Sequence, residues 1–131
     1  MSERTLALEV VTPDGRALLE PAVDVVVFHR REPRFDLGSE IAVFPLHGPL
    51  LVRIPVGPAR YRKGGETVHL AVGGGFAEVL RDRVLIVTPR LQRVASADPD
   101  PGSTSREICR RWRAEGADFQ WEMAGYPQAN F

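Results

Sequence analysis

The chain has one cysteine and one lysine in 131 residues. Cys109, standing alone, excludes an intramolecular disulfide framework and any zinc site built from several thiolates, and it suits a reducing compartment. Lys63 faces sixteen arginines. That bias has two readings, codon usage in a GC-rich genome or a need for planar donors that pair with carboxylates. Long apolar runs are missing as well. The longest stretch without a charge, Ile41 to Val52, is twelve residues broken by Pro45 and Pro49, whereas a bilayer takes about 20, so no membrane-crossing segment is expected. Met-Ser-Glu-Arg-Thr at the start has no basic region leading into an apolar stretch, and no secretory signal is expected. Net charge is absent too, because seventeen acidic residues balance seventeen basic ones, and the bulk charge does not call for nucleic acid or an anionic membrane surface.

Catalytic motifs are equally sparse. A cupin-type metal site would want two histidines one residue apart with a downstream acid, and His29, His47 and His69 are each isolated. Gly73-Gly74-Gly75 lacks the Lys-Ser/Thr that completes a phosphate loop and precedes an extended segment, so it reads as a bulge or a close backbone approach. No G-x-S-x-G or Ser/His pairing offers a nucleophile. Cys109 sits among arginines that would lower its pKa, with no general base nearby. Basic clusters at Arg30, Arg31 and Arg34 and at Arg60, Arg62 and Lys63 are interleaved with acids. Through residue 95 there are 13 basic and 11 acidic side chains, which describes a mixed solvated surface as well as a phosphate track. The reading is of a non-enzyme without catalytic residues, cofactor or metal, and without a nucleic-acid partner.

What is present is a succession of short apolar segments with turn residues between them. Leu6, Leu8 and Val10 alternate with their neighbours, and Thr12-Pro13-Asp14-Gly15 supplies a turn. Val23 to Phe28 and Ile41 to Phe44 are β-branched runs, separated by the polar loop His29 to Ser39. Leu50 to Ile54 is followed by Pro55 and Gly57, then by Ala59 to Arg62. Gly64-Gly65 offers the positive φ angles of a tight hairpin. Thr67 to Val72 and Phe76 to Leu80 flank the three glycines, and Arg83 to Thr88 follows Arg81-Asp82. The spacing predicts a mostly β fold, a sandwich or flattened barrel of roughly ten strands over residues 1–94.

Beyond Val94 the pattern changes. Residues 95–103 contain Pro99 and Pro101 and read as a linker. Residues 104–131 read as one short helix and an aromatic tail. Thr104 with Glu107 has capping-box spacing, Ile108 and Trp112 share a face, Gly116 is placed as a C′ glycine, and Arg110, Arg111 and Arg113 sit where the helix dipole favours cations. A helix of 11 or 12 residues is marginal in water by itself, so it needs a surface to pack on. Phe119, Trp121, Met123, Tyr126 and Phe131 crowd the tail, for docking on the sandwich or for a partner.

Four stretches, in order, resemble one family. Leu6-Ala7-Leu8-Glu9-Val10-Val11-Thr12-Pro13-Asp14-Gly15 is similar to the opening strand and turn of the epsilon subunit of F-type ATP synthases. Phe44-Pro45-Leu46-His47-Gly48-Pro49-Leu50-Leu51 resembles its Leu-Pro-Gly-His-Ala-Pro-Leu-Leu segment. Arg62-Lys63-Gly64-Gly65-Glu66 resembles its hairpin turn, and Ala71-Val72-Gly73-Gly74-Gly75-Phe76-Ala77-Glu78-Val79 its Val-Ser-Gly-Gly-Phe-x-Glu-Val. The resemblance implies a non-catalytic rotor subunit on the cytoplasmic face of the bacterial cell membrane, held between the gamma subunit and the c-ring, in reach of the alpha/beta head, and coupling ion translocation to ATP synthesis and hydrolysis. By position it implies c-ring contact at Glu40 and Ser39 and gamma contact at His47 and Pro49.

The departures are specific. The loop His29 to Ser39 is about half a dozen residues longer than the family's connection, and Ser39 and Ala42 replace glycines around Glu40. The family's C-terminal helical hairpin is reduced to a single short helix, and Ile108-Cys109-Arg110-Arg111-Trp112-Arg113-Ala114 lacks the Asp of the nucleotide motif Ile/Leu-Asp-x-x-Arg-Ala. A second reading from another class is a free-standing β-sandwich adaptor that binds through its aromatic tail.

Overall fold

The computed structural model describes residues 4–32 and 37–116. The aromatic tail from Phe119 to Phe131 lies outside the described residues. Eight strands run in the order β1 Leu6–Thr12, β2 Gly15–Val23, β3 Val25–His29, β4 Glu40–Val43, β5 Leu50–Lys63, β6 Glu66–Leu80, β7 Arg83–Val87 and β8 Leu91–Arg93, followed by helix α1, Pro101–Ala114. They form one open sheet in the spatial order β2-β1-β7-β6-β5-β3-β4, with β8 on β6.

The sheet becomes a sandwich because β5 and β6 belong to both layers. Leu50 to Ile54 of β5 pairs with the second half of β6, which continues through β7 and β1 to β2. Ala59 to Lys63 pairs with the first half of β6, beside β3, β4 and β8. The strands fold over between layers at Pro55–Gly57 opposite Gly73–Gly75. Proline has no N–H for the ladder, and Gly74 and Gly75 take φ of 87° and 112°, which glycine adopts without a Cβ penalty. A Cβ on Gly75 would overlap the Val87 carbonyl oxygen, and one on Gly73 would sit 2.8 Å from Arg90 Cβ. This kink explains why eight strands form where the sequence suggests about ten. The proline and glycine signals that mark strand ends here mark a bend, and each long strand reads as two short ones. The apolar run Val23 to Phe28 divides instead at Asp24, because Val23 pairs with Leu6 of β1 and Val25 with Arg62 of β5, and the Asp24 N–H already bonds the Arg62 carbonyl at 2.7 Å.

Alternation places Leu6, Leu8 and Val10 of β1, Val26 and Phe28 of β3, Ala77 and Val79 of β6, and Val84 and Ile86 of β7 between the layers, all essentially inaccessible. At about 25 cal/mol per Å² of apolar surface removed from water, this shared core dominates folding. Tyr61 is buried with them, and its hydroxyl donates to Glu20 Oε2 at 2.7 Å.

Helix α1 lies on the outer face of the second layer. Ile108, Cys109 and Trp112 pack with Val56, Ala71 and Val94 in a separate buried cluster. The helix starts earlier than its sequence suggests. Asp100 caps it, accepting from the Ser103 N–H, and Pro101 occupies the first turn, where a missing N–H costs nothing. Thr104, the cap by sequence spacing, instead donates its hydroxyl to Asp98 Oδ2 at 2.7 Å, and Glu107 pairs with Arg110 on the surface. The Gly116 end is as expected, with φ of 78° and its N–H bonded to the Arg113 carbonyl. Four contacts fasten the helix: Ser105 Oγ to the Leu70 carbonyl at 2.6 Å, Arg113 to the Val56 carbonyl at 2.7 Å, Arg90 stacked 4.5 Å over the Trp112 ring, and Arg90 paired with Glu115 at the C-cap at 3.0 Å. Burial pushes the Cys109 thiol up to about 11 despite the Arg113 charge. The activation suggested by its arginine neighbours in sequence is therefore reversed by desolvation.

Candidate interaction surfaces

The four residues singled out by position fall into two pairs, and the fold sets the pairs at opposite ends of the sandwich. Glu40 begins edge strand β4 opposite His29, while Val43 at the other end pairs with Val26. The Glu40 end is the kink end. There Arg31 N–H donates to the Arg53 carbonyl at 2.9 Å, and Leu37 closes over Gly57, where an added Cβ would lie 2.7 Å from its side chain. Arg31 and Leu37, the described residues on either side of that loop, thus lie on the bend of β5.

Ser39 and Glu40 are ordered by their neighbours. Ser39 gives both its N–H and its hydroxyl to Glu32 Oε1, each at 3.0 Å, and these bonds lower the Glu32 pKa. Arg60 on β5 grips both oxygens of Glu40 at 3.0 and 3.1 Å. That bidentate bond, opposed by partial burial, holds the Glu40 carboxyl below its ordinary value. His29 Nδ1 donates to the Gly38 carbonyl at 3.0 Å, leaving Nε2 3.9 Å from Glu40. The kink end therefore presents a carboxylate whose orientation is set by its arginine partner. Such rim charges orient docking more than they add affinity.

His47 and Pro49 lie at the hairpin end, in the loop from β4 to β5. Leu46 in that loop has φ of 69°, an unfavourable angle for a leucine, and its N–H donates to Asp82 Oδ1 at 3.0 Å. Asp82 also binds Arg4 at 3.4 Å and accepts the Ala7 N–H on its own carbonyl. One turn residue thereby ties the loop to the start of β1. His47 Nδ1 donates to the adjacent Gly48 carbonyl at 2.6 Å.

Around this loop the surface is apolar. Leu46 and Leu51 are each 68% exposed, Phe44 55% and Leu80 53%. Pro49, Leu51 and Leu80 edge a shallow groove of about 240 Å³ beside Glu78. On the other layer Phe44, Val25, Val27 and Ala42 line a second groove of about 260 Å³ rimmed by Arg60 and Arg62. Exposed apolar side chains grouped in this way and bordered by charge are of the kind that serve interaction surfaces.

Sequence alone does not distinguish Arg60, Asp82, Leu51 and Leu80. Arg60 and Asp82 act on partners 20 and 36 positions away, and no local pattern announces such a bond. Leu51 and Leu80 do carry a signal, since each falls on the outward register of its strand.

Comparison with known proteins agrees with this architecture. The family described as ATP synthase, Delta/Epsilon chain, beta-sandwich domain matches residues 5–94. The ATP synthase epsilon chain of Syntrophobacter fumaroxidans is 37% identical over 118 residues, spanning 90% of this chain and 82% of that relative. The epsilon chain of Alkalihalophilus pseudofirmus is 34% identical over 103 residues, 79% of this chain and 72% of its own. In structure, the fold is shared with a chain of the Euglena gracilis mitochondrial ATP synthase OSCP/F1/c-ring assembly, at a TM-score of 0.62 and 17% identity over 97% of this chain and 70% of that one. It is shared also with a chain of the Tetrahymena thermophila mitochondrial ATP synthase central stalk and c-ring, at 0.55 and 13% over 92% and 98%. The match to the β-sandwich domain and the identity to full epsilon chains together place this protein in the ATP synthase delta/epsilon chain family.

Proposed function

We propose that the chain is a non-catalytic central-stalk subunit of a bacterial F-type ATP synthase that joins the gamma subunit to the c-ring. The observation that carries the reading is the separation of two unlike surfaces by a rigid sandwich. A fixed carboxylate at Glu40, next to Ser39, marks the kink end, and an apolar rim around His47 and Pro49 marks the hairpin end. A body that transmits torque has to hold two partners at once, and partners gripped at opposite ends do not compete for area. The apolar end suits a lasting interface with gamma, because burial of apolar area supplies affinity in proportion to area removed from water. The charged end suits the polar loops of a c-ring. No helix among the described residues is long and apolar enough to cross a membrane, and peripheral association with the cytoplasmic face fits that reading.

Co-expression with the gamma subunit from the same source tests it. The two should elute together at micromolar concentration. Separate elution overturns the assignment.

A further inference from the structure

We propose that His69 is a pH-responsive element at the helix–sheet interface, and that protonating it loosens the docking of α1. His69 lies on the outer face of β6 directly opposite Arg60 of β5. The first turn of α1 comes down on it: a Cβ on Gly102 would sit 3.6 Å from His69 Cε1 and 3.9 Å from Nδ1, with the Arg106 guanidinium 3.5 Å from the same point. The imidazole thus stands where a side chain at Gly102 would touch it, beneath the first turn of the helix.

Of the three charged groups that act on it, two are positive. Arg60 faces it from β5 and Arg106 from α1, with Asp100, the helix cap, as the acid acting on it. Arg93 of β8 and Glu66 at the start of β6 line the same cleft, about 250 Å³, together with His69, Val94, Ser96 and Pro101. Arg60 is engaged by Glu40, which leaves its charge partly neutralised but still beside the ring. A positive imidazole in this place meets two guanidinium groups and the positive end of the helix dipole. Burial, Arg60 and Arg106 all lower the His69 pKa, and only Asp100 raises it.

The direction follows from linkage. The undocked ring, in water, takes up a proton near the ordinary histidine value of about 6.5, and the docked ring resists until lower pH. Docking is therefore at full strength above that value and weakens as pH falls through the docked pKa. None of the buried core residues among the described ones is a histidine.

Cys109 makes the effect measurable. It is the sole cysteine and is inaccessible on the face of the helix that packs on the sheet, so its labelling by a dithiodipyridine reagent reports helix opening. The rate is compared between the full-length wild type and His69→Gln at each pH from about 7.5 to 5. The titration of the thiol itself is common to both and cancels in the ratio. The ratio of wild-type to variant rate should rise severalfold as pH falls; a ratio flat with pH overturns the proposal. NMR titration of the wild-type His69 ring decides the matter independently should the variant fold poorly. A midpoint below about 6.5 supports the proposal, and one at or above it overturns it.

Discussion

Arg60 and Glu40, twenty positions apart, meet through the two terminal guanidinium nitrogens and both carboxylate oxygens at 3.0 and 3.1 Å. The two side chains are 41% and 45% exposed, so solvent screens the pair and its share of stability is small. Its effect is on geometry, since the bond aims the carboxylate at the kink end of the sandwich. Replacing Glu40 by Gln should lower stability by less than about 1 kcal/mol, measured by urea unfolding, while weakening binding to c-ring-containing membranes. An unfolding change of several kcal/mol would show that the residue serves the fold instead.

Asp82 holds the Leu46 N–H and with it the loop bearing His47 and Pro49. Without that acceptor the strained Leu46 backbone has less reason to stay in place. Asp82→Ala should weaken gamma binding by about tenfold, the equivalent of one lost hydrogen bond of about 1.4 kcal/mol, as read by calorimetry. Binding at the Glu40 end should be unchanged, because the two ends are separate.

Gly75 combines positive φ with a backbone approach that leaves no room for a Cβ. Gly75→Ala should cost on the order of 3 kcal/mol, seen as a fall in the midpoint of thermal unfolding. Gly64→Ala is the control. Its φ is also positive, at 57°, but a Cβ there meets nothing within 4 Å, so a loss of about 1 kcal/mol is expected.

Trp112 is 5% exposed and joins Ile108 and Cys109 against the sheet. Trp112→Ala should remove about 3–5 kcal/mol from helix docking. The prediction is rapid labelling of Cys109 while the β-sheet circular dichroism persists. Retained protection of the thiol would mean that the Ser105, Arg113 and Glu115 bonds hold the helix by themselves.

Glu20 and Tyr61 predict sensitivity at both ends of the pH scale. Hydrogen bonds from Tyr61 and then Lys63 lower the Glu20 pKa against the opposing effect of burial. Its contribution is complete above the unfolded value of about 4.3 and is lost as pH falls through the folded one. The Tyr61 hydroxyl is pushed up to about 12, first by burial and then by Glu20. Its contribution is complete below about 10 and is lost as pH rises towards 12. Tyr61→Phe should therefore be less destabilised than the wild type by raising pH above about 10, which urea midpoints across that range will show.

The strands of the first layer and the glycine turns are legible in the sequence because their signals are local. Leu6, Leu8 and Val10 alternate, and Gly64 and Gly65 carry the φ angles of 57° and 86° that their hairpin needs. Ile108 and Trp112 announce a buried helix face by spacing. The helix start is not legible in the same way. Thr104 and Glu107 have capping-box spacing while Asp100 and Pro101 also meet the requirements of a cap, and in the folded chain Asp100 takes the cap while Thr104 bonds Asp98.

By itself the sequence determined a neutral, cysteine-poor, mostly β domain with a short C-terminal helix, and its ordered motifs already resembled one family. Periodicity and turn chemistry act within a few residues, so a linear reading reaches them. Only the tertiary structure decided that Pro55 and Gly73–Gly75 bend strands instead of ending them, that Ser39 and Glu40 stand apart from His47 and Pro49, and that His69 lies beneath the helix. Those outcomes depend on pairings between distant residues, such as Arg60 with Glu40 and Leu46 with Asp82, whose energies exist only once the chain has closed. The lone cysteine shows the difference: its arginine neighbours in sequence suggested a lowered pKa, and burial of its face of α1 against the sheet raises it instead.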